Sequence, residues 1–465
     1  MITTPPQQTT QQPRTQTMMP LLALSLGYFM TILDVTIVNV ALVNIKEQLS
    51  ANVTGLQWIV DGYALVFASL LLTGGALGDR RGSRTIFLVG FALFTLASTL
   101  CSLAPTLLVL QIARAFQGLG AALLVPNSLA LLNTIYTDAR KRAQAIGVWA
   151  AVASIGALSG PLLGGVLVNA FGWRSIFLIN LPIGILGFLL TVRSIAPSTP
   201  QGGRSLDLPG QVAGILALGM LTFALIEGNS LGITSPLILA AYAGCVLFFL
   251  LLLWREKTTS HPMLPLKLFQ ERTFSATNVV ALCQTFTFTG FIFVISLFLQ
   301  EVKHYSPSLT GVALLPSFGC ALLATSLSGA FMPRLGARRV MVMGLILAAV
   351  ACFGFVLVEA QTSYLLLACI IAVLGFGLAS VLPAMTEAAI SHVPRAQSGI
   401  AAGMLNVSRQ VGGVIGVAIL GTLVGNQQTF ISGMHLAFLI AGGVLVLALG
   451  AAWVFVRSRQ ETLQS

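Results

Sequence analysis

The sequence predicts an all-α integral membrane protein. Fourteen transmembrane helices are expected, arranged as two six-helix bundles in parallel pseudo-repeat with an inserted helix pair. Three observations carry this prediction. Hydrophobic residues make up 56% of the 465-residue chain and charged residues only 8%, against roughly 25% charged in soluble domains. That is too little charge to cover a water-exposed surface, and the mean hydropathy of +0.93 agrees. The basic residues sit in short loops and fall mostly on one side of the apolar runs. A Gly/Arg loop motif recurs, beginning at Gly75 and again at Gly329.

A helix needs about 20 apolar residues to cross a bilayer core. Runs of that kind occupy 20–45, 56–78, 84–103, 105–135, 143–170, 174–195, 208–228, 235–255, 273–300, 308–333, 338–358, 362–391, 398–425 and 432–456. With the N-terminus in the cytoplasm, 19 of the 24 Lys and Arg residues fall in cytoplasmic segments. Lys46, Arg174 and Lys303 fall outside, and Arg114 and Arg409 lie within spans. Such a bias sets orientation and places both ends in the cytoplasm.

Residues 1–19, which begin in a stretch rich in Gln, Thr and Pro, are expected to be a disordered cytoplasmic segment with no cleavable signal. Residues 20–195 form the first bundle, 196–272 the inserted pair with its linkers, and 273–456 the second bundle. Residues 457–465 form a cytoplasmic tail. The six cysteines lie inside apolar runs, as packing residues. The net charge of +11 is dispersed over many loops, which excludes a nucleic-acid patch. All five lysines lack the preceding glycine of a phosphate-binding loop, so no ATP site is expected.

The repeat aligns Gly75-Ala-Leu-Gly-Asp-Arg80-Arg-Gly82-Ser-Arg84 with Gly329-Ala-Phe-Met-Pro-Arg334-Leu-Gly336-Ala-Arg338. One copy follows span 2 and the other span 10, which implies six spans, two spans, then six. Parallel repeats of this kind mark a transporter with its site between the halves. Five motifs in order then resemble the major facilitator superfamily, in its fourteen-span drug:proton antiporter branch. They are the loop 75–84, Leu33 to Leu42 in span 1, Arg114 to Ala122 in span 4, Gly156 to Gly165 in span 5, and Trp173 to Gly184 in span 6. The chain departs from the family pattern at Ser83, where a basic residue is usual, and at Val43, where proline is usual.

Ionisable residues within a bilayer are costly, so each is a functional candidate. Asp34 lies mid-span in span 1, where burial disfavours the carboxylate. Proton and cationic substrate would then compete for it; the alternative is a structural hydrogen bond. Arg114 has Gln111 and Gln117 on the same helix face, and the resemblance implies a role in proton coupling through Asp34. A static ion pair is the alternative. Asp61, one turn from Trp58 near the outer end of span 2, suits a lipophilic cation through charge and cation–π attraction, unless it is a solvated interfacial group. Glu227 and Glu387 are further substrate-binding candidates, or else solvated helix-end residues. Arg409 reads as a residue snorkelling toward the cytoplasmic end of span 13.

A conformational gate is expected at Gly75, Gly78, Asp79, Arg80, Gly82 and Arg84, whose charges can pair across to the other bundle. Topology signalling alone is the alternative. Gly156, Gly160 and Gly164 form a smooth face for close packing, with Pro161 able to bend the helix. The resemblance implies that this stretch marks an antiporter. The expected function is proton-driven export of lipophilic, cationic drugs by alternating access in a bacterial cytoplasmic membrane. A metabolite transporter and a non-transporting sensor are the rivals. No catalysis, metal or cofactor is expected. The partners are small substrates, protons and lipid, and the protein is expected to work as a monomer.

Overall fold

The computed structural model describes residues 14–198, 200, 207–259, 266–394 and 397–456. Most of the expected N-terminal disordered segment, residues 1–13, and the tail 457–465 lie outside these. Among the described residues the secondary structure is helical, without strands. Fourteen helices are long and apolar enough to span a membrane. Spans 1 to 6 are Met18–Gln48, Val53–Arg81, Ser83–Leu103, Leu107–Ile135, Ala139–Phe171 and Ser175–Ser194. Spans 7 and 8 are Leu208–Leu231 and Pro236–Thr258. Spans 9 to 14 are Arg272–Val302, Pro307–Leu335, Ala337–Leu357, Tyr364–Ser391, Ser398–Leu423 and Phe430–Phe455.

The sequence placed 14–19 in the disordered segment, but the first helix runs from Arg14 to Gln48. A polar turn is readily helical when it extends a long apolar helix, because each added residue gains a backbone bond without a new nucleus. Helix starts follow local chemistry. Asn52, Thr106, Asp138, Asp207, Ser235 and Ser306 each accept a hydrogen bond from a backbone N–H three residues on, the usual N-cap arrangement. Thr106 thereby separates spans 3 and 4, whose apolar runs, 84–103 and 105–135, are one residue apart.

Span 1 packs against span 5, span 2 against span 4, and span 3 against span 4; spans 9–13, 10–12 and 11–12 pair in the same way in the second half. Spans 7 and 8 pack on each other and reach spans 2 and 13. The two copies of the repeat behave alike. Gly82 and Gly336 have φ +91° and +79°, a region where glycine is at home. Arg84 then donates to the Val192 carbonyl at the end of span 6, and Arg338 to the Trp453 carbonyl at the end of span 14. Each loop is clasped to the last helix of its own half.

Outer and cytoplasmic ends follow the orientation that the loop charges imply. At the outer end the halves are joined. Lys46 of span 1 pairs with Glu301 of span 9 at 2.6 Å. Gln57 of span 2 donates to the Val417 and Ala418 carbonyls of span 13, both at 2.9 Å. Ser308 of span 10 donates to the Gly165 carbonyl of span 5 at 3.0 Å. Nearer the cytoplasm, Gly147 of span 5 and Gly319 and Gly329 of span 10 face open space.

The expected glycine face packs on span 1. A Cβ added at Gly160 would run into the Thr36 hydroxyl, one at Gly164 into Ile37, and one at Gly156 into Phe29. Gly165 and the Pro161 carbonyl instead abut span 10, at Pro307 and Gly311. Replacing Gly160 with leucine is therefore expected to destabilise the protein by about 1–3 kcal/mol or more, the cost of overpacking. Gly147→Leu should be tolerated. Thermal melts of the two purified variants check this; equal melting points would remove the packing role.

Candidate functional site

The intramembrane charges of the first half converge on one buried cluster. Gly118 lets span 4 approach the backbone of span 2 at Tyr63, which brings Arg114 between spans 1 and 2. Arg114 Nη1 donates to Asp34 and, at 2.8 Å, to Gln117. Its Nε donates to the Ile59 carbonyl at 3.0 Å, and its guanidinium lies 4.4 Å from the Tyr63 ring centroid. The second Asp34 oxygen accepts from Gln117 at 3.1 Å and from Asn180 of span 6 at 3.0 Å. Both amides also donate to Ser98, at 2.7 and 3.3 Å. Asp34 is 0% and Arg114 1% exposed.

This arrangement solves the problem of charge in an apolar medium. An isolated ion there is severely disfavoured, whereas a pair with its remaining lone pairs and protons satisfied is tolerated. It is also a switch in principle, because protonating Asp34 removes the charge that holds Arg114. The sequence singled out Asp34, Arg114 and Gln117. Asn180 and Ser98 complete the cluster and were not singled out. Asn180 sits within the span 6 motif, so an intramembrane amide there was the available signal.

The other candidates are more dispersed. Asp61 is fully buried, not at a solvated interface, and neither of its oxygens has a described partner. The Trp58 indole does not serve it. Its N–H donates to Glu227 of span 7 at 2.9 Å, so these two candidates tie the first half to the inserted pair. Glu387 lies one turn from the cytoplasmic end of span 12, on a half-buried stripe that includes Phe376, Ala379 and Pro383.

In the expected gate, a Cβ at Gly78 would strike Asn127, whose amide donates to the Gly74 carbonyl at 2.8 Å; Gly75 lies near Pro126. Arg80 is exposed. In place of the expected reach to the other bundle, the bonds described for Arg84 go to Val192 and to Ser198, just beyond span 6. Asp79 lies at the cytoplasmic end of span 2, partly buried. Arg409 is not near the interface. It stands eleven residues into span 13, about 16 Å along the helix. No group of acids, histidines or cysteines able to hold a metal occurs among the described residues.

Comparison with known proteins agrees with the fold and the motifs. Residues 24–417 match the Major Facilitator Superfamily. The chain is 40% identical to the methylenomycin A resistance protein of Bacillus subtilis, covering 96% of both chains. It is 39% identical to the multidrug resistance protein Stp of Mycobacterium tuberculosis, over 88% of this chain and 76% of that one. It is 34% identical to the tetracenomycin C resistance and export protein of Streptomyces glaucescens, over 88% and 76%. Its relatives are drug resistance and efflux transporters and not enzymes, and with fourteen spans, five ordered motifs and matches of this extent, the chain belongs to the major facilitator superfamily.

Proposed function

We propose that this protein is a proton-coupled antiporter that exports lipophilic drugs across a bacterial cytoplasmic membrane by alternating access. Both termini lie in the cytoplasm, the chain works as a monomer, and the proton gradient is the energy source without a cofactor. The observation that carries the reading is the sealed Asp34–Arg114–Gln117–Asn180 cluster. A proton arriving at Asp34 frees Arg114 to rearrange; its departure restores the pair. The halves, joined outside by Lys46–Glu301 and Gln57, fit a cytoplasm-facing state. The bacterial relatives named for methylenomycin, tetracenomycin and multidrug resistance support drugs as cargo.

The expected preference for cations has less to rest on. Asp34 is engaged by Arg114 and fully buried, and Asp61 is sealed too, so neither offers an open carboxylate in this conformation. Glu387 is the candidate left partly exposed on the cytoplasmic side.

Inside-out vesicles test the proposal. With a preset pH gradient, adding methylenomycin A should release protons when the protein is present; ethidium and a quaternary ammonium compound, added in the same way, test the cation preference. Binding with no proton release would favour a sensor. Transport insensitive to the gradient would remove the coupling.

A further inference from the structure

Arg409 is a charge that the coupling cluster does not use. It stands mid-span in span 13, partly buried, and no carboxylate among the described residues pairs with it. Its Nε is buried without an acceptor. Across the boundary between the halves, Val407, two residues before Arg409, packs against the same buried cluster as Tyr28 of span 1 and Trp149 of span 5. This brings the Tyr28 side chain within electrostatic range of Arg409. Tyr28 in turn stacks on Trp149 of span 5, with centroids 4.0 Å apart and planes 12° from parallel. The Trp149 Nε1–H is also buried without an acceptor. Two orphaned donors, from spans 5 and 13, thus flank one tyrosine of span 1. Asn406, one turn before Arg409, shares its half-buried stripe.

Leaving such donors unmade is expensive. A buried unsatisfied polar group costs on the order of 1–3 kcal/mol, more when charged, and an unpaired Arg within a bilayer costs more still. A set of donors with a surplus positive charge calls for an acceptor that carries negative charge. Asp34 cannot supply it, being held by Arg114, Gln117 and Asn180. It lies six residues beyond Tyr28 along span 1, about 9 Å toward the outer end. Glu387, on span 12, lies one turn from its cytoplasmic end.

We infer that Arg409, Trp149 and Tyr28 form a head-group subsite between the two halves, which takes the carboxylate or a similarly acidic oxygen group of a lipophilic substrate. The guanidinium fork matches a carboxylate in two parallel hydrogen bonds, the indole N–H supplies another donor, and the stacked aromatic pair receives the apolar body. The inference rests on the exporter reading and adds the charge of the cargo's head group.

The test uses the full-length protein in lipid nanodiscs and three ligands sharing one ring system. These are 1-naphthylacetate, 2-(1-naphthyl)ethanol and 1-naphthylmethyl-trimethylammonium, measured by equilibrium dialysis against empty nanodiscs. The wild type should bind the anion on the order of tenfold tighter than the alcohol, the range of one charge-assisted hydrogen bond, and the cation weakest. Arg409→Gln should erase the anion's advantage and leave alcohol binding unchanged, while Arg409→Lys retains part of it. Trp149→Phe, which keeps the ring stack and removes the N–H, should reduce it. No preference for the anion in the wild type overturns the subsite. So does an Arg409→Gln variant with an unchanged anion-to-alcohol ratio, or one that weakens all three ligands alike. Dialysis needs no gradient, so silent vesicles with an intact anion preference would count against export and not against the subsite.

Discussion

Replacing Arg114 with methionine is expected to destabilise the protein by about 3–5 kcal/mol, the cost of stranding one member of a buried ion pair. Asp34 would keep its Gln117 and Asn180 donors but lose its counter-charge, and the Ile59 carbonyl and Gln117 oxygen would lose a donor. The double variant Arg114→Met, Asp34→Asn should recover most of the loss, because deleting both charges leaves no ion uncompensated. Thermal unfolding in detergent measures both. A single variant that melts with the wild type would show that Arg114 contributes nothing net to the fold.

The second large effect is functional. Asp34→Asn preserves shape and one acceptor oxygen but leaves the Arg114 charge without its partner. A melting point lowered on the scale of Arg114→Met is therefore expected, and drug binding is read on the protein that remains folded. The variant has no group at that position to carry a proton. Drug-driven proton release in inside-out vesicles should fall to background, while binding by dialysis stays near wild type. The reason is that both Asp34 oxygens are engaged within a sealed cluster. The loss should therefore reach coupling without removing a ligand from the path. Normal exchange by this variant would take Asp34 out of the mechanism and leave the fold untouched.

The number and order of the spans were legible because length and hydropathy alone determine whether a helix crosses a bilayer. The helix starts were set by caps that act within their own turns, at Asn52, Thr106 and Asp138, and the span boundaries drawn from hydropathy alone did not use them. The rotation of each helix was not. In a soluble helix a polar face reports which side is out, but here lipid and core are both apolar. Asp61 therefore reads as a cation-binding group near the outer end of span 2, or else a solvated interfacial one, whereas it is sealed in this conformation. Trp58 reads as its partner, whereas its indole donates to Glu227. Arg409 read as snorkelling because the sequence does not show that Tyr28 stands opposite. The pairing of Asp34 with Arg114 was within reach, since two opposite charges in lipid have few other partners. The amides that finish the cluster, Gln117 and Asn180, come from spans 4 and 6 and meet only through tertiary packing.

The inserted pair is fastened unequally. Gln211 of span 7 bonds to Ser69 and Thr73 of span 2 near the cytoplasmic end, and Glu227 holds Trp58 of span 2 at the other. Toward span 13 the described polar link is Thr422 to the Leu225 carbonyl at 3.4 Å. Between them lies a cavity of about 320 Å³, walled by Leu72, Leu221, Phe249, Val407 and Val411. Spans 7 and 8 are thus riveted to one half and merely lean on the other. On the alternating-access proposal the pair would travel as ballast with span 2, and the largely apolar seam along span 13 would be the shear plane, with one long hydrogen bond, Thr422 to Leu225, among those described to remake at each stroke.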